Sequence, residues 1–312
     1  MSASVPAATD EVSPPLAAAE EALLATAGVP VERHETRVNG VRMHYLTCGE
    51  GEPLVLVHGR GHAGAVFTPL FAALAAGHRV IAVDLPGWGL SAKPPFTGHT
   101  AADAVAVWHD ALHGFLDDQG LTQVDLAGHS MGGLTALAVA LDAPERVRRL
   151  ALIDSGGLGI ETPFDVRLYF RVKPERLNRW FGPRFFAWVL NRDDANLAKQ
   201  RGPLFDFIYA VMSQPEVIPS GGRAFDQWVN LNGVHFDFRS RLKELEMPVL
   251  LLWGDHDHLV PYSTALQAVR QIHTGRVVAF THCGHSPFLE RPDDFGRTLT
   301  AWLDGYRVPS RV

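Results

Sequence analysis

Residues 124–135, VDLAGHSMGGLT, decide how the chain is to be read. Val124 to Ala127 suits a short buried strand, and the segment from Gly133 onward has the length and composition of a helix. Between them Gly128 to Gly132 spells G-x-S-x-G, in the strand–turn–helix context that a nucleophile elbow requires. A serine on so sharp a turn takes a strained backbone. The flanking glycines remove side chains that would collide with the neighbouring strand and helix. The hydroxyl of Ser130 is then exposed above the strand ends, and the amide of Met131, at the helix N-terminus, is placed to donate to an oxyanion. The plainer alternative is a glycine-rich turn carrying an ordinary serine.

Outward from this stretch, apolar runs closed by turn residues recur at 53–59, 79–87, 149–157, 248–254 and 276–284. Near-continuous apolar runs suit strands buried on both faces, and the helix-length segments between them imply a parallel sheet with helices on both sides. The earlier HETRVNGVRMHYLTCG alternates about an Asn-Gly turn, as an antiparallel hairpin should. From 159 to 240 the rhythm breaks, and 15 of the chain's 29 aromatic residues fall there. The reading is an extension over 1–32, a core over 33–158 and 241–312, and a helical cap inserted over 159–240.

In the extension, Ser13 as N-cap, Pro15 and Gly28 bracket a short helix with Leu16, Ala19, Leu23 and Ala27 along one side. Acidic residues interrupt its apolar ones, so it does not read as a signal peptide. No run reaches transmembrane length. With 28 Lys+Arg against 34 Asp+Glu the formal charge is −6, which offers nucleic acid no global attraction. Two cysteines cannot form a disulfide framework, so a reduced, cytoplasmic protein is expected.

A serine needs a base, and that base an orienting group. His285 follows the last apolar run, and an acid is available before it in WGDHDHLVP, 253–261. Ser, acid, His is the order expected of α/β-hydrolases. Two other readings compete. Asp255, His256, Asp257 and His258 together invite a metal. GRGHAG, 59–64, with Asp84 after the next strand, approaches a Rossmann fingerprint and would imply an NAD-binding oxidoreductase.

In order, NGVRMHY, LVHGRG, DLPGWGLS, AGHSMGG, WGDHD and CGHSPFLERP give the chain its resemblance to the α/β-hydrolase family over nearly all of 33–308. The resemblance implies an eight-stranded, mostly parallel sheet, with Asp257 as triad acid and the Arg60 amide as second oxyanion donor. It makes Asp84 structural and leaves Asp154 as a reserve acid. His129 reads as packing and His256 and His258 as solvent-facing. His62, Trp180 and Trp188 are candidate substrate contacts.

The expected activity is cofactor-free ester hydrolysis through an acyl-enzyme on Ser130. The alternatives are carbon–carbon bond hydrolysis of a vinylogous diketone, perhydrolase or acyltransferase chemistry, or binding without turnover. Arg167, Arg171, Lys173, Arg176, Arg179 and Arg184 stand against Glu175 alone in 166–184, a basic segment that would guide an anionic substrate, an acidic carrier protein or an anionic lipid surface.

Overall fold

Asn39 and Gly40 both take positive φ, 51° and 79°, the geometry of the tight turn that reverses β1 (Glu32–Val38) into β2 (Val41–Cys48). The structure is a computed structural model and describes residues 13–172, 181–182 and 202–312. The hairpin starts an eight-stranded sheet that continues with β3 (Glu52–Val57), β4 (His78–Val83), β5 (Val124–His129), β6 (Val147–Ile153), β9 (Val249–Gly254) and β10 (Gly275–Phe280). The order is β1-β2-β4-β3-β5-β6-β9-β10, and every pairing from β4 onward is parallel. A two-stranded ribbon, β7 (Val229–Asn230) with β8 (Gly233–Val234), lies apart from it.

The apolar runs are continuous because alternate residues of one strand feed two cores. Val55 and Val57 of β3 join one cluster and Leu54 and Leu56 the other; in β9, Leu251 and Leu250 divide the same way. The first core takes α3 (Ala101–Asp118) and α4 (Met131–Asp142). Thr100 caps α3 through a reciprocal bond pair with Asp103. The second core takes α1 (Pro14–Leu24), α2 (Thr68–Leu74) and, near the end of the chain, residues 295–303. Most strands stop up to four residues short of the apolar runs, since the terminal glycines and turn residues leave the ladder.

Between β6 and β9 the chain runs through α5 (Phe164–Val172), α6 (Pro203–Met212) and α7 (Arg223–Trp228). Past β9 come α8 (Tyr262–Ala268), α9 (Pro287–Glu290) and α10 (Pro292–Leu303). Among the described residues no helix is long and apolar enough to cross a membrane.

One expectation about α1 is corrected. Leu16, Leu23 and Ala27 are buried and Ala19 packs beside them, as read, but the same face also encloses Glu20, a charged residue the reading did not place there. Ser13 precedes the helix without a side-chain capping bond.

Candidate active site

Ser130 joins β5 to α4 with φ 53° and ψ −115°, a backbone that a non-glycine residue adopts only when its surroundings enforce it. The surroundings do so. Its N–H donates to the Ile153 carbonyl at 2.9 Å, and its own carbonyl accepts from Leu134 and Gly156 at 3.1 and 3.0 Å. A Cβ on Gly128 would strike the Gly132 carbonyl, one on Gly132 the carbonyls of Val57 and His58, and one on Gly133 the hydroxyl of Ser155. Strand and helix close on each other with no room for side chains.

From this turn Ser130 Oγ lies 3.0 Å from His285 Nε2, and His285 Nδ1 lies 2.9 Å from Asp257 Oδ2. The second carboxylate oxygen of Asp257 accepts from the N–H groups of Leu259 and Val260 at 2.8 and 3.0 Å, which fixes the acid's orientation. Asp257 and His285 are both buried. Asp154 ends β6 at φ 42° and accepts from the Gly254 N–H at 2.9 Å, so the reserve acid braces β9.

Three further imidazoles surround the site, each deeply buried. His58 donates from Nδ1 to the Gly59 carbonyl at 2.7 Å and accepts from the Leu85 N–H at Nε2 at 3.0 Å, which fixes a neutral tautomer. His129 donates from Nε2 to the His285 carbonyl at 2.9 Å, in keeping with a packing role. His62 stacks on His129 with ring centroids 5.7 Å apart. Burial pushes all three downward, His62 to about 3 and His129 well below the usual histidine range, with the charge of His285 adding to both. His285 differs from them in having a carboxylate partner at Nδ1.

The DHDH stretch disperses. Asp255 accepts from the His282 N–H at 2.7 Å and pairs with Arg311 at 2.7 Å. Although burial raises it, those two bonds hold the carboxyl below its ordinary range. His256 and His258 are exposed; His256 stacks on His282, and His258 pairs with Asp165 of α5 at 2.7 Å. Four side chains with separate partners do not converge on one ion. The Rossmann reading fails similarly, because Asp84 is fully buried and accepts from the N–H groups of Gly64 and Leu90 at 2.6 and 2.7 Å, leaving no access for a ribose.

Ser130 and His285 open into a cavity at the C-terminal ends of the strands, where α/β sheets bind their ligands. Arg60 and His62 form part of its polar wall, and Ile208, Met212, Phe225 and Trp228 an apolar one. The Arg60 guanidinium lies over the Phe225 ring, 4.9 Å from its centroid. Met131 begins α4, where the first N–H groups lack intrahelical partners, and its side chain is buried. Trp180 and Trp188 lie outside the described residues, as do Lys173, Arg176, Arg179 and Arg184. Arg167 sits over Phe164 and donates to the Leu231 carbonyl at 3.3 Å. Trp228 went unread, since nothing in its local sequence separates it from the other aromatics of the insertion.

A sequence profile described as the alpha/beta hydrolase fold matches residues 52–292. The chain belongs to the α/β-hydrolase fold family. Within it, the chain is similar to a 2-hydroxy-6-oxononadienedioate/2-hydroxy-6-oxononatrienedioate hydrolase of Burkholderia vietnamiensis, 31% identical over 284 residues, covering 84% of this chain and 91% of that protein. A 2-hydroxy-6-oxo-6-(2'-aminophenyl)hexa-2,4-dienoic acid hydrolase of Metapseudomonas resinovorans is 30% identical over 281 residues, covering 88% and 91%. Among solved structures, a membrane phospholipase A described as a bacterial virulence factor superposes with a TM-score of 0.73 at 27% identity, over 93% of this chain and 90% of that one. The protein is thus a hydrolase of this fold.

Replacing Asp257 with Asn should lower kcat severely, by up to about 10⁴ if the tautomer is lost, and Ser130→Ala by up to about 10⁶. Asp255→Asn should be much milder, because that carboxylate bonds to Arg311 and the His282 amide. Steady-state kinetics of the three folded variants checks this, and a steeper loss at Asp255 would reassign the acid.

The neutral imidazoles also set an acid limit on stability. Their folded values lie below the ordinary 6.5, so the unfolded chain binds more protons and stability falls as pH drops through about 6.5, for His62 down to about 3. Glu20, raised to about 7, works in the opposite direction between 4.5 and 7. His44, raised by Asp84, joins Glu20 near pH 6.5, but with three groups against two urea midpoints should decline from pH 6.5 to 5, and a rising midpoint would contradict the neutral assignment.

Proposed function

We propose that this hydrolase cleaves a carbon–carbon bond in a vinylogous diketone that carries a carboxylate, using Ser130 as nucleophile, His285 as base and acid, and Asp257 as orienting group. One geometric observation carries the reading: the unbroken hydrogen-bond line Ser130–His285–Asp257 at the mouth of a cavity with Arg60 on one wall and apolar side chains on the other. Two relatives at 30–31% identity, both hydrolases of 2-hydroxy-6-oxo dienoates, support the choice of bond.

Ser130 gives its proton to His285 as Oγ adds to the ketone carbonyl, and the N–H groups of Arg60 and Met131 receive the oxyanion. On collapse the carbon–carbon bond breaks, its electron pair passes into the conjugated enolate, and that fragment takes the proton from His285. An acyl ester remains on Ser130. Water, deprotonated by His285, then releases the acid. A carbon leaving group departs only as a delocalised enolate, so a 2-hydroxy-6-oxo dienoate must first shift its enol proton to the carbon beside the ketone, giving the vinylogous diketone whose second carbonyl accepts the electron pair. Burial keeps His58, His62 and His129 neutral, so proton transfer runs through His285 alone.

In this reading the Arg60 guanidinium attracts the substrate carboxylate, and His62 contributes a neutral ring edge to its polar end. The insertion over 159–240 acts as a cap, and its basic segment, including Arg167 and Arg171, steers anionic substrates, an acidic carrier or an anionic surface toward the cavity. Ester hydrolysis is the second reading. It uses the same residues with an alkoxide leaving group, and the similarity to a phospholipase A favours it.

Purified protein given 2-hydroxy-6-oxononadienedioate should bleach the dienone chromophore and release a five-carbon dienoate and a four-carbon diacid. Its kcat/KM should exceed that for graded p-nitrophenyl esters by about 10² or more, since binding energy is directed at the conjugated substrate. Turnover of the esters without the diketone would replace this reading with the second.

A further inference from the structure

Glu20 is a carboxylate in the middle of an apolar helix face, and a buried charge is tolerated only when it is paired. Its Oε1 lies 3.1 Å from Arg33 Nε on β1 and 3.5 Å from His44 Nε2 on β2. The other ring nitrogen of His44 lies 3.2 Å from Asp84 Oδ2. Asp84 in turn accepts the Gly64 N–H, the last residue of the loop that begins at Gly59 and includes Arg60. Ligand atoms of Glu20, His44 and Asp84 lie within 4.8 Å of one another, but His44 stands between the carboxyl groups and offers each a different nitrogen, which makes a relay of paired polar groups rather than a shared metal centre.

A second path leads from the same helix to the same loop. α1 packs against α6, whose Ile208 and Met212 line the cavity. Met212 lies so close over Gly61 that a Cβ there would strike its sulfur. Both paths converge on the segment between Gly59 and Gly64.

We propose that Glu20 is a positioning residue, through which docking of the N-terminal helix holds the oxyanion loop and the α6 wall of the cavity in their working arrangement. This rests on the assignment of Ser130 and the Arg60 amide to the active site, and it is independent of the bond cleaved.

The latch responds to protons. Burial pushes the Glu20 carboxyl up to about 7 against the pull of His44 and Arg33, whereas undocked it returns to 4.5. Burial lowers His44, but its bond to Asp84 and the charge of Asp84 raise it, and that partner stays when the helix leaves, so the pH dependence of docking is that of Glu20. Docking is therefore strongest below about 4.5, weakens as pH rises from there to about 7, and is level above that value, where the carboxyl is ionised in both states. The charged groups facing the relay are Arg33 and Glu35 from β1, Arg42 from β2 and Asp84 after β4, with His58 and Lys93 acting on Asp84.

The test uses the full chain and the rate at which a fluorophosphonate probe labels Ser130 from pH 5.5 to 9, alongside kcat and KM for a p-nitrophenyl ester, with circular dichroism to verify folding. Glu20→Lys should slow labelling about tenfold to a hundredfold, the scale of a small displacement of oxyanion donors, while Glu21→Lys at the exposed neighbouring position should not. Glu20→Gln, which keeps the shape without the ionisation, should lack the part of the wild-type profile that declines between pH 5.5 and about 7, and should run parallel to the wild type above 7. Equal labelling of the two lysine variants overturns the proposal. So does a Glu20→Gln profile that retains the wild-type decline, which remains decisive should Glu20→Lys fail to fold. A wild type that the probe never labels overturns the serine assignment as well, a result distinct from equal labelling.

Discussion

The backbone of Ser130 is the constraint on which the rest is built. Holding a non-glycine residue at φ 53° costs of order 1–3 kcal/mol, and the strain persists because the turn is wedged between the central strands and α4. β5 lies between β3 and β6, so the Ile153 carbonyl and Gly156 amide bond to the turn from one side while the Val57 and His58 carbonyls press on Gly132 from the other. The glycines at 128, 132 and 133 follow from that closeness. So does the burial of almost every residue of α4, a helix packed over strands on one side and α3 on the other.

Around this point the fold separates proton-carrying from proton-excluding groups by surroundings alone. Four imidazoles occupy neighbouring space, yet His58 and His129 bond to backbone carbonyls and His62 stacks on His129, while His285 meets a carboxylate. Asp84 shows the same economy in a structural role. One carboxylate binds two backbone amides and an imidazole, tying the loops after β3 and β4 together.

Much of this was legible in the residues because the strands are short, apolar and punctuated by glycine, and because the elbow announces itself in five letters. The register of the acid was less legible. Asp255 and Asp257 are the same residue type two positions apart, and only the family pattern chose between them; the physical distinction, amides of Leu259 and Val260 for one and Arg311 for the other, arises from loop geometry. The burial of Glu20 was illegible for a related reason. Helical periodicity assigns charged residues to solvent, and the partners that overturn this, Arg33 and His44, come from two other elements. Trp228 reaches the cavity through the path of the whole insertion, which no local pattern encodes.

His285 follows β10, the outermost strand on its side of the sheet, and lies 155 positions beyond Ser130. A chain emerging from the ribosome therefore completes its central strands and its strained serine well before the base exists. On the roles proposed for them, the serine is held in place before the base that would activate it has been made. The same layout makes turnover report on the periphery. Sheet edges open locally at lower free energy than central strands, so on the proposed role of His285 fraying of β10 would stop turnover while most of the secondary structure remained intact.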